Sequence, residues 1–310
     1  MDNKALVILG PTASGKSALA LEVAKHYPSE IISLDSALIY KGMDIGTAKP
    51  TKEELSKVQH HLIDIIDPKD SYSAAQFRAD CIALVSSISA RGKLPIICGG
   101  TMLYYKALVD GLSKLPQTDP KVRDEIAKEA ELKGWPYMHE KLKACDPILY
   151  KKLAPNDKQR ISRALEIFAM TGKSQSSFYD LPKDPCPFPF LAFAILPDND
   201  RKALREQITV RFKKMLECGL IEEVKKLKER GDLNLDLPSM RCVGYRQVWE
   251  YLDGIYDYDT MIEKAVIATA QLAKHQMTWL RGGLNQSEYN VLKYQDPSNL
   301  ATVLQALKSL

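Results

Sequence analysis

The chain has 310 residues, is 45% hydrophobic and carries a formal net charge of +4. That is enough to bury one large core, or a core with a smaller insertion, and too little charge to demand a polyanionic partner by itself. Its six cysteines (Cys81, Cys98, Cys145, Cys186, Cys218 and Cys242) form no C-x-x-C pair, which argues against a disulfide framework or a zinc ribbon and for reduced thiols. No basic segment precedes an apolar stretch at the N-terminus and no apolar run is long enough to span a bilayer, so we expect a cytoplasmic protein with no membrane partner; a monomer is expected separately, with no residue pattern deciding it.

The first element is an apolar run, Ala5-Leu6-Val7-Ile8-Leu9, followed at once by Gly10-Pro11-Thr12-Ala13-Ser14-Gly15-Lys16-Ser17. This is a complete G-x-x-x-x-G-K-[ST] phosphate loop in its required context, after a strand and before the helical Ala18–Ala24. Glycines let the backbone turn so that several N–H groups point into one cavity, and the following helix N-terminus faces the same anion. Lys16 adds a mobile cation, and the Ser17 hydroxyl is placed to ligate Mg²⁺ beside bound phosphates. The motif by itself places the chain among nucleotide-binding, including ATP-binding, proteins without saying which phosphate chain is held.

Further apolar runs at Ile31–Leu34, Leu62–Ile66, Pro95–Cys98 and Leu191–Leu196 read as buried parallel strands separated by helices. Ligands of such sheets bind beyond the carboxyl ends of the strands. The ends here carry the phosphate loop, Asp35-Ser36-Ala37-Leu38, and Gly99-Gly100-Thr101. Asp35 suits a proton acceptor or a partner for a metal-bound water, and equally a turn former. Thr101 suits a substrate contact, an N-cap, or both. Lys41 and Lys49 form a basic stretch that could meet a nucleic-acid backbone. His60-His61 lacks neighbouring ligands, so no metal site is expected there; adjacent strand residues should send one ring inward and one outward.

From Asp119 to Gly172 the pattern is helical and charged, with Asp119 as N-cap and Pro120 at the first helical position. Within it, Asp157–Phe168 reads as an amphipathic helix with an apolar stripe of Ile161, Ala164, Leu165 and Phe168. Arg160 and Arg163, three apart, share the other face, as a solvated surface or as a grip on a nucleic-acid backbone. A Pro-rich loop covers Asp180–Pro189. The last third is mostly amphipathic helix, including one from about Tyr258 to Leu280. It carries Arg211 with Lys213 and Lys214, and Arg241 and Arg246 around Cys242-Val243-Gly244-Tyr245; any of these arginines could neutralise a leaving phosphate. The expected fold is therefore α/β, with a P-loop NTPase-like parallel sheet core, a helical insertion domain and a helical C-terminal third. Its expected divisions are 1–118 for the first part of the core, 119–190 for the insertion, and 191–310 for core completion with the last strand and C-terminal helices.

With these residues in place the chain resembles the tRNA dimethylallyltransferases, the bacterial prenyltransferases that modify the adenine just 3′ of the anticodon. The matching segments are GPTASGKS at 10–17, DSALIYKGMDIGTAKP at 35–50, HHLID at 60–64, YSAAQFR at 72–78, GGTMLYYKAL at 99–108, NDKQRISRALEIF at 156–168, MRCVGYRQ at 240–247 and QLAKHQMTWLR at 271–281. The block at 35–50 is the most specific. The resemblance implies transfer of the dimethylallyl group from dimethylallyl diphosphate to adenine N6 in a tRNA anticodon stem-loop, with Mg²⁺ as cofactor and diphosphate released. It implies that Gly10, Pro11, Thr12, Ala13, Ser14, Gly15, Lys16, Ser17 and Arg211 hold the diphosphate, and that Ser17 also holds the metal. Asp35 is implied as general base, with Thr101 and Lys16 beside it in the catalytic set. The implied tRNA contacts are Asp35, Ser36, Ala37, Leu38, Thr101, Arg123, Gln159, Arg160, Ile161, Ser162 and Arg163, so the insertion is the implied tRNA-binding domain.

Two departures from the family pattern stand out. Ala270 and His275 replace arginines, and no late Cys/His spacing fits the zinc finger of eukaryotic relatives, so the core and the insertion are expected to carry nucleic-acid binding. Three other readings compete. A small-molecule kinase would use the loop for ATP, with the insertion as an Arg-bearing lid. An adenylate isopentenyltransferase would act on free AMP. A nucleotide-switched RNA-binding protein would perform no chemistry and would not need Asp35 at a strand end.

Overall fold

The computed structural model describes residues 4–197, 202–284 and 289–308. The chain divides into a sheet unit, Met1–Val109 with Cys186–Leu310, and a helical unit, Asp110–Pro185. The sheet unit begins with β1 (Ala5–Leu9), α1 (Lys16–Ala24), β2 (Ser29–Leu34), α2 (Lys52–Lys57), β3 (His60–His61), α3 (Ala74–Ala90), β4 (Leu94–Gly99) and α4 (Met102–Val109). The helical unit contains α5 (Pro120–Lys133), α6 (Trp135–Cys145), α7 (Pro147–Lys152) and α8 (Lys158–Thr171). The sheet unit resumes with β5 (Phe190–Leu196), α9 (Lys202–Glu217), α10 (Leu220–Glu229), α11 (Tyr245–Leu252), α12 (Tyr258–Thr278), β6 (Asn290–Lys293) and α13 (Asn299–Lys308).

All strand pairs are parallel, in the order β3-β2-β4-β1-β5-β6. Alternate side chains serve opposite faces, as the two-residue period of a strand requires. Leu6, Ile8, Ile31, Ile96 and Phe193 pack with Leu19 and Val23 of α1 and Val303 of α13. Val7, Leu9, Ile32, Leu34 and Ile97 pack with Phe77, Val85 and Ile88 of α3 and Tyr105 and Leu108 of α4. Every residue of β1 is buried; each of its Leu, Val and Ile side chains contributes roughly 1.5–3 kcal/mol. A second core joins α9, α10, α11 and α12 through Phe212, Val224, Val248, Met261 and Met277. The helical unit has a core of its own around Met138, Leu142, Ile161 and Leu165.

Several expectations are met. Asp119 caps α5 by accepting the Lys121 N–H at 2.9 Å, with Pro120 at the helix start. The strands expected at Ile31–Leu34, Pro95–Cys98 and Leu191–Leu196 all form. The third strand differs: it is confined to His60–His61, and the run expected to form it, Leu62–Ile66, turns instead. Leu62 and Asp64 adopt φ of 60° and 55°, in the left-handed region that no strand uses. A bridge between Tyr40 and Ile66 is what remains of pairing there. The long helix stops at Thr278 and continues as a π turn over Trp279–Gly283. Strand β6 was not expected; only Leu292 of its four residues is buried, so it lacks the apolar run that marks the others. Among the described residues no helix is long and apolar enough to cross a membrane.

Candidate active site

Directly after β1 the backbone wraps into the phosphate loop. Gly15 takes φ 86°, a left-handed value natural to glycine, and from there α1 starts with no side-chain cap. The first-turn N–H groups of α1 thus have no capping side chain, which is the arrangement that receives an anion. Lys16 curls back and donates from Nζ to the Pro11 carbonyl at 3.1 Å. Burial lowers the Lys16 pKa; Cys98 and Asp35 nearby oppose that shift, and Arg211 adds to it. An arriving diphosphate would reverse the effect of burial by supplying opposite charge.

The ends of β2 and β4 close on the same place. Gly99 lies so near β2 that a Cβ there would fall 2.1 Å from the Leu34 carbonyl oxygen, so only glycine fits. That carbonyl accepts the N–H groups of Gly100 and Thr101, at 3.2 and 3.1 Å. Thr101 Oγ1 in turn accepts the Ser36 N–H at 3.0 Å and lies 3.3 Å from Ser36 Oγ. Asp35 Oδ1 accepts the Ala37 N–H at 2.8 Å. Asp35 is therefore a turn former through one oxygen, and among the described residues no hydrogen bond occupies the other.

These elements wall a cavity of about 650 Å³. Of the residues singled out from sequence, Thr12, Ala13, Lys16, Ser17, Asp35, Ser36, Ala37, Leu38, Thr101 and Arg211 line it. Ser14 and Gly15, with Ala13, line a smaller recess on α1 and the 294–300 segment. Gly10 and Pro11 shape the loop without lining either. Arg211 comes from α9; burial lowers its pKa, and Asp35 pulls it back up. Arg241 also lines the cavity, whereas Arg246 bonds Glu250 along α11, at 3.0 Å, and does not. Ile208, Phe212, Met215, Leu272 and Trp279 give the cavity an apolar side. Burial pushes the thiols of Cys98 and Cys242 up to about 11 and about 12, which disfavours the thiolate that a cysteine nucleophile needs.

One central residue was missed from sequence. Gln276 of α12 accepts the Thr12 N–H through Oε1 and donates to the Gly100 carbonyl through Nε2, both at 2.8 Å. It stitches the phosphate loop to the turn that carries Thr101. The only signal was its place in the 271–281 block; its partners are 264 and 176 residues away.

Among the described residues no three His, Cys, Asp or Glu side chains could together hold a metal ion. Ser17 and Asp35 offer one hydroxyl and one carboxylate to the cavity. That sparse oxygen set fits Mg²⁺, which commonly takes few protein ligands and completes its shell with substrate phosphates and water.

The helical unit places its expected contacts unevenly. Arg123 donates to Glu166 at 3.0 Å, and Arg163 to Glu166 at 3.2 Å, Thr118 at 3.1 Å and the Pro116 carbonyl. Ser162 also bonds Glu166, which is only 1% exposed. Arg160 instead pairs with Asp157, the cap of its own helix. The expectation that Arg160 and Arg163 share one open face is corrected: their side chains are 70% and 25% exposed. The buried Glu166 is the reason, since it draws Arg163 inward. Ile161 is fully buried in the unit's core, and Gln159 is exposed. The apolar stripe ends on Ile167 rather than the exposed Phe168.

A phosphate loop at the head of a parallel sheet, facing a carboxylate across one cavity, is the arrangement of an α/β P-loop enzyme. A family model described as IPP transferase matches residues 38–283, and the chain belongs to that family. The full-length tRNA isopentenylpyrophosphate transferase from Bacillus halodurans is 33% identical, with a TM-score of 0.71 over 99% of this chain and 96% of that one. The tRNA delta(2)-isopentenylpyrophosphate transferase from Staphylococcus epidermidis is 33% identical, with a TM-score of 0.68 over 99% and 97%. A eukaryotic dimethylallyltransferase acting on tRNA is 27% identical, with a TM-score of 0.82 over 98% of this chain and 77% of that one.

Proposed function

We propose that this protein is a tRNA prenyltransferase that moves a dimethylallyl group from dimethylallyl diphosphate to N6 of the adenine 3′-adjacent to the anticodon. The observation that carries this reading is the cavity itself, where Lys16, Ser17 and Arg211 face Asp35. Family membership and tRNA-modifying structural neighbours support the same assignment.

In this reading the donor's diphosphate lies on the phosphate loop and the first turn of α1. N6 forms a bond to the allylic C1 while the C1–O bond breaks and its electron pair leaves with diphosphate. An allylic carbon ionises readily, so the charge growing on the leaving group dominates the barrier. Lys16, Arg211 and the uncapped first-turn N–H groups of α1 would stabilise that charge. Bound Mg²⁺, held by Ser17 and diphosphate oxygens, would supply further positive charge at the leaving group. N6 sheds a proton as the bond forms, and Asp35 accepts it; the Ala37 N–H fixes one carboxylate oxygen and orients the other. The adenine must leave its stack to enter, at a cost of a few kcal/mol. Gln159 and Arg160, exposed on the helical unit, are the proposed contacts to the tRNA backbone there.

The test is to incubate the protein and Mg²⁺ with dimethylallyl diphosphate and either tRNA or AMP, and separately with ATP and phosphate acceptors. Prenylated tRNA is the expected product. Prenylation of AMP alone would replace this reading with an adenylate isopentenyltransferase, and phosphoryl transfer from ATP would replace it with a kinase.

A further inference from the structure

Glu223, on α10, plays no part in the chemistry above, yet its carboxylate accepts five hydrogen bonds. Oε2 accepts the N–H groups of Asp44 and Ile45, both at 2.9 Å. Oε1 accepts those of Ile45 and Gly46, at 3.1 and 3.2 Å, and the Tyr245 hydroxyl at 2.5 Å. Three successive backbone N–H groups cradling an anion is the geometry with which loops bind phosphate. Here a side chain of the protein fills the cradle.

The two segments that Glu223 joins are both walls of the active-site cavity. Gly46, Thr47 and Ala48 line it from one, and Cys242, Val243 and Gly244 from the other. They meet closely: a Cβ on Gly46 would sit 2.5 Å from the Tyr245 ring and 2.8 Å from Leu220. The far end of the 44–48 loop is pinned separately by Lys49, whose side chain, 5% exposed, bonds Asp44, Asp64 and the Tyr40 carbonyl.

We propose that Glu223 is a positioning residue for the acceptor side of the reaction: its carboxylate holds loop 44–48 against the 242–245 turn and so sets the cavity wall across which the acceptor base is received. This rests on the prenyl-transfer reading. The donor's diphosphate belongs to the phosphate loop and Lys16, which Glu223 does not touch, so its loss should separate the two substrates.

The full-length wild type, Glu223→Ala, Glu223→Gln and Glu223→Asp proteins are compared by amide hydrogen exchange, donor binding and single-turnover transfer to tRNA. Glu223→Ala is expected to raise exchange at residues 44–46 about tenfold or more and to slow transfer by roughly 10–100-fold, as misplacement of a substrate does. Donor affinity is expected to stay within about twofold, because the diphosphate contacts are untouched. Added formate should enter the vacated cradle of Glu223→Ala and restore both protection and rate, a rescue that a general loss of stability would not show. Glu223→Gln, which turns N–H donors toward N–H donors, should be impaired and not rescued; Glu223→Asp should retain part of the rate. Unchanged exchange at 44–46, an equal loss of donor affinity, or no formate response in a folded Glu223→Ala protein overturns the proposal. A wild type that never prenylates tRNA overturns the functional reading instead, and the exchange and formate arms still decide whether the cradle exists.

Discussion

Gln276 and Thr12 lie 264 residues apart in the chain, and the carboxamide oxygen of one accepts the N–H of the other at 2.8 Å. Through its amide nitrogen the same side chain holds the Gly100 carbonyl. The phosphate loop is thus fixed from outside its own strand–loop–helix unit, and the donor site is tied to the turn that positions Thr101 and Ser36. Gln276→Leu breaks both bonds and leaves two half-buried backbone groups unpaired, at about 1–3 kcal/mol each if no water replaces the partner. We expect a lower unfolding midpoint and weaker donor binding together. Gln276→Glu keeps an acceptor for Thr12 but faces Gly100 with a second oxygen, so it should recover donor binding more than transfer rate. Donor binding by titration and single-turnover transfer separate the two effects; a Gln276→Leu protein with wild-type donor affinity would show that the loop holds its shape unaided.

Asp35→Asn preserves shape, and its amide oxygen can still accept the Ala37 N–H. It removes the proton acceptor, and loss of a general base costs about 10²–10⁴ in rate. Donor and tRNA affinities should survive. Lys16→Ala and Ser17→Ala should both weaken donor use, and only the Ser17→Ala defect should shrink as Mg²⁺ is raised, since Lys16 acts on the diphosphate directly and Ser17 through the metal. Single-turnover transfer within a few-fold of wild type in Asp35→Asn would remove it as the base.

Far from the cavity, Glu30 at the start of β2 is buried and bonded by Arg91, His61 and Lys93, at 2.6, 2.7 and 2.9 Å. Burial alone would raise its pKa; the bonds to Arg91, His61 and Lys93 outweigh that and bring it from 4.5 down to about 2. A carboxyl with a depressed folded-state pKa stabilises the fold above its unfolded pKa and loses that contribution as pH falls through the folded one. Glu30 should therefore add on the order of 2 kcal/mol at neutral pH, fading between about pH 4.5 and pH 2. Denaturant midpoints across that range should converge for wild type and Glu30→Gln at the acid end and diverge toward neutrality. Parallel curves would assign the acid sensitivity to other groups.

What the sequence made legible was local. The phosphate loop is contiguous, and Asp35 and Thr101 stand at carboxyl ends of strands whose apolar runs are plain, so parallel topology alone brings them together. What it concealed depends on partners distant in the chain. Gln276 and Glu223 act on backbone N–H and carbonyl groups that no residue pattern encodes. Lys49 reads as part of a basic stretch suited to RNA, but it is enclosed by Asp44, Asp64 and Tyr40. The run at 62–66 is apolar enough for a strand, yet left-handed backbone at Leu62 and Asp64 turns it away.

Distant partners also separate the two arginines of α8. Arg160 is open to solvent and, among the described residues, paired only with its own cap residue, whose bond to the Arg160 backbone N–H would outlast the side chain. Arg163 instead ties the helix to Pro116 and Thr118 and shares the buried Glu166 with Arg123. Arg160→Ala should thus leave thermal unfolding near wild type and weaken tRNA binding. Its log–log salt slope should be smaller by roughly 0.7–0.9, because one fewer phosphate is neutralised. Arg163→Ala should behave differently. It leaves a buried carboxylate short of a cation and the 116–118 segment without its anchor, costing about 2 kcal/mol or more, so the unfolding midpoint should drop by several degrees. Its salt slope should match wild type where the protein is folded. Measuring tRNA affinity at several salt concentrations beside thermal unfolding, for each variant alone, distinguishes an RNA-facing side chain from a structural one. A full slope change in Arg163→Ala with no loss of stability would mean that Glu166 releases this arginine to the RNA.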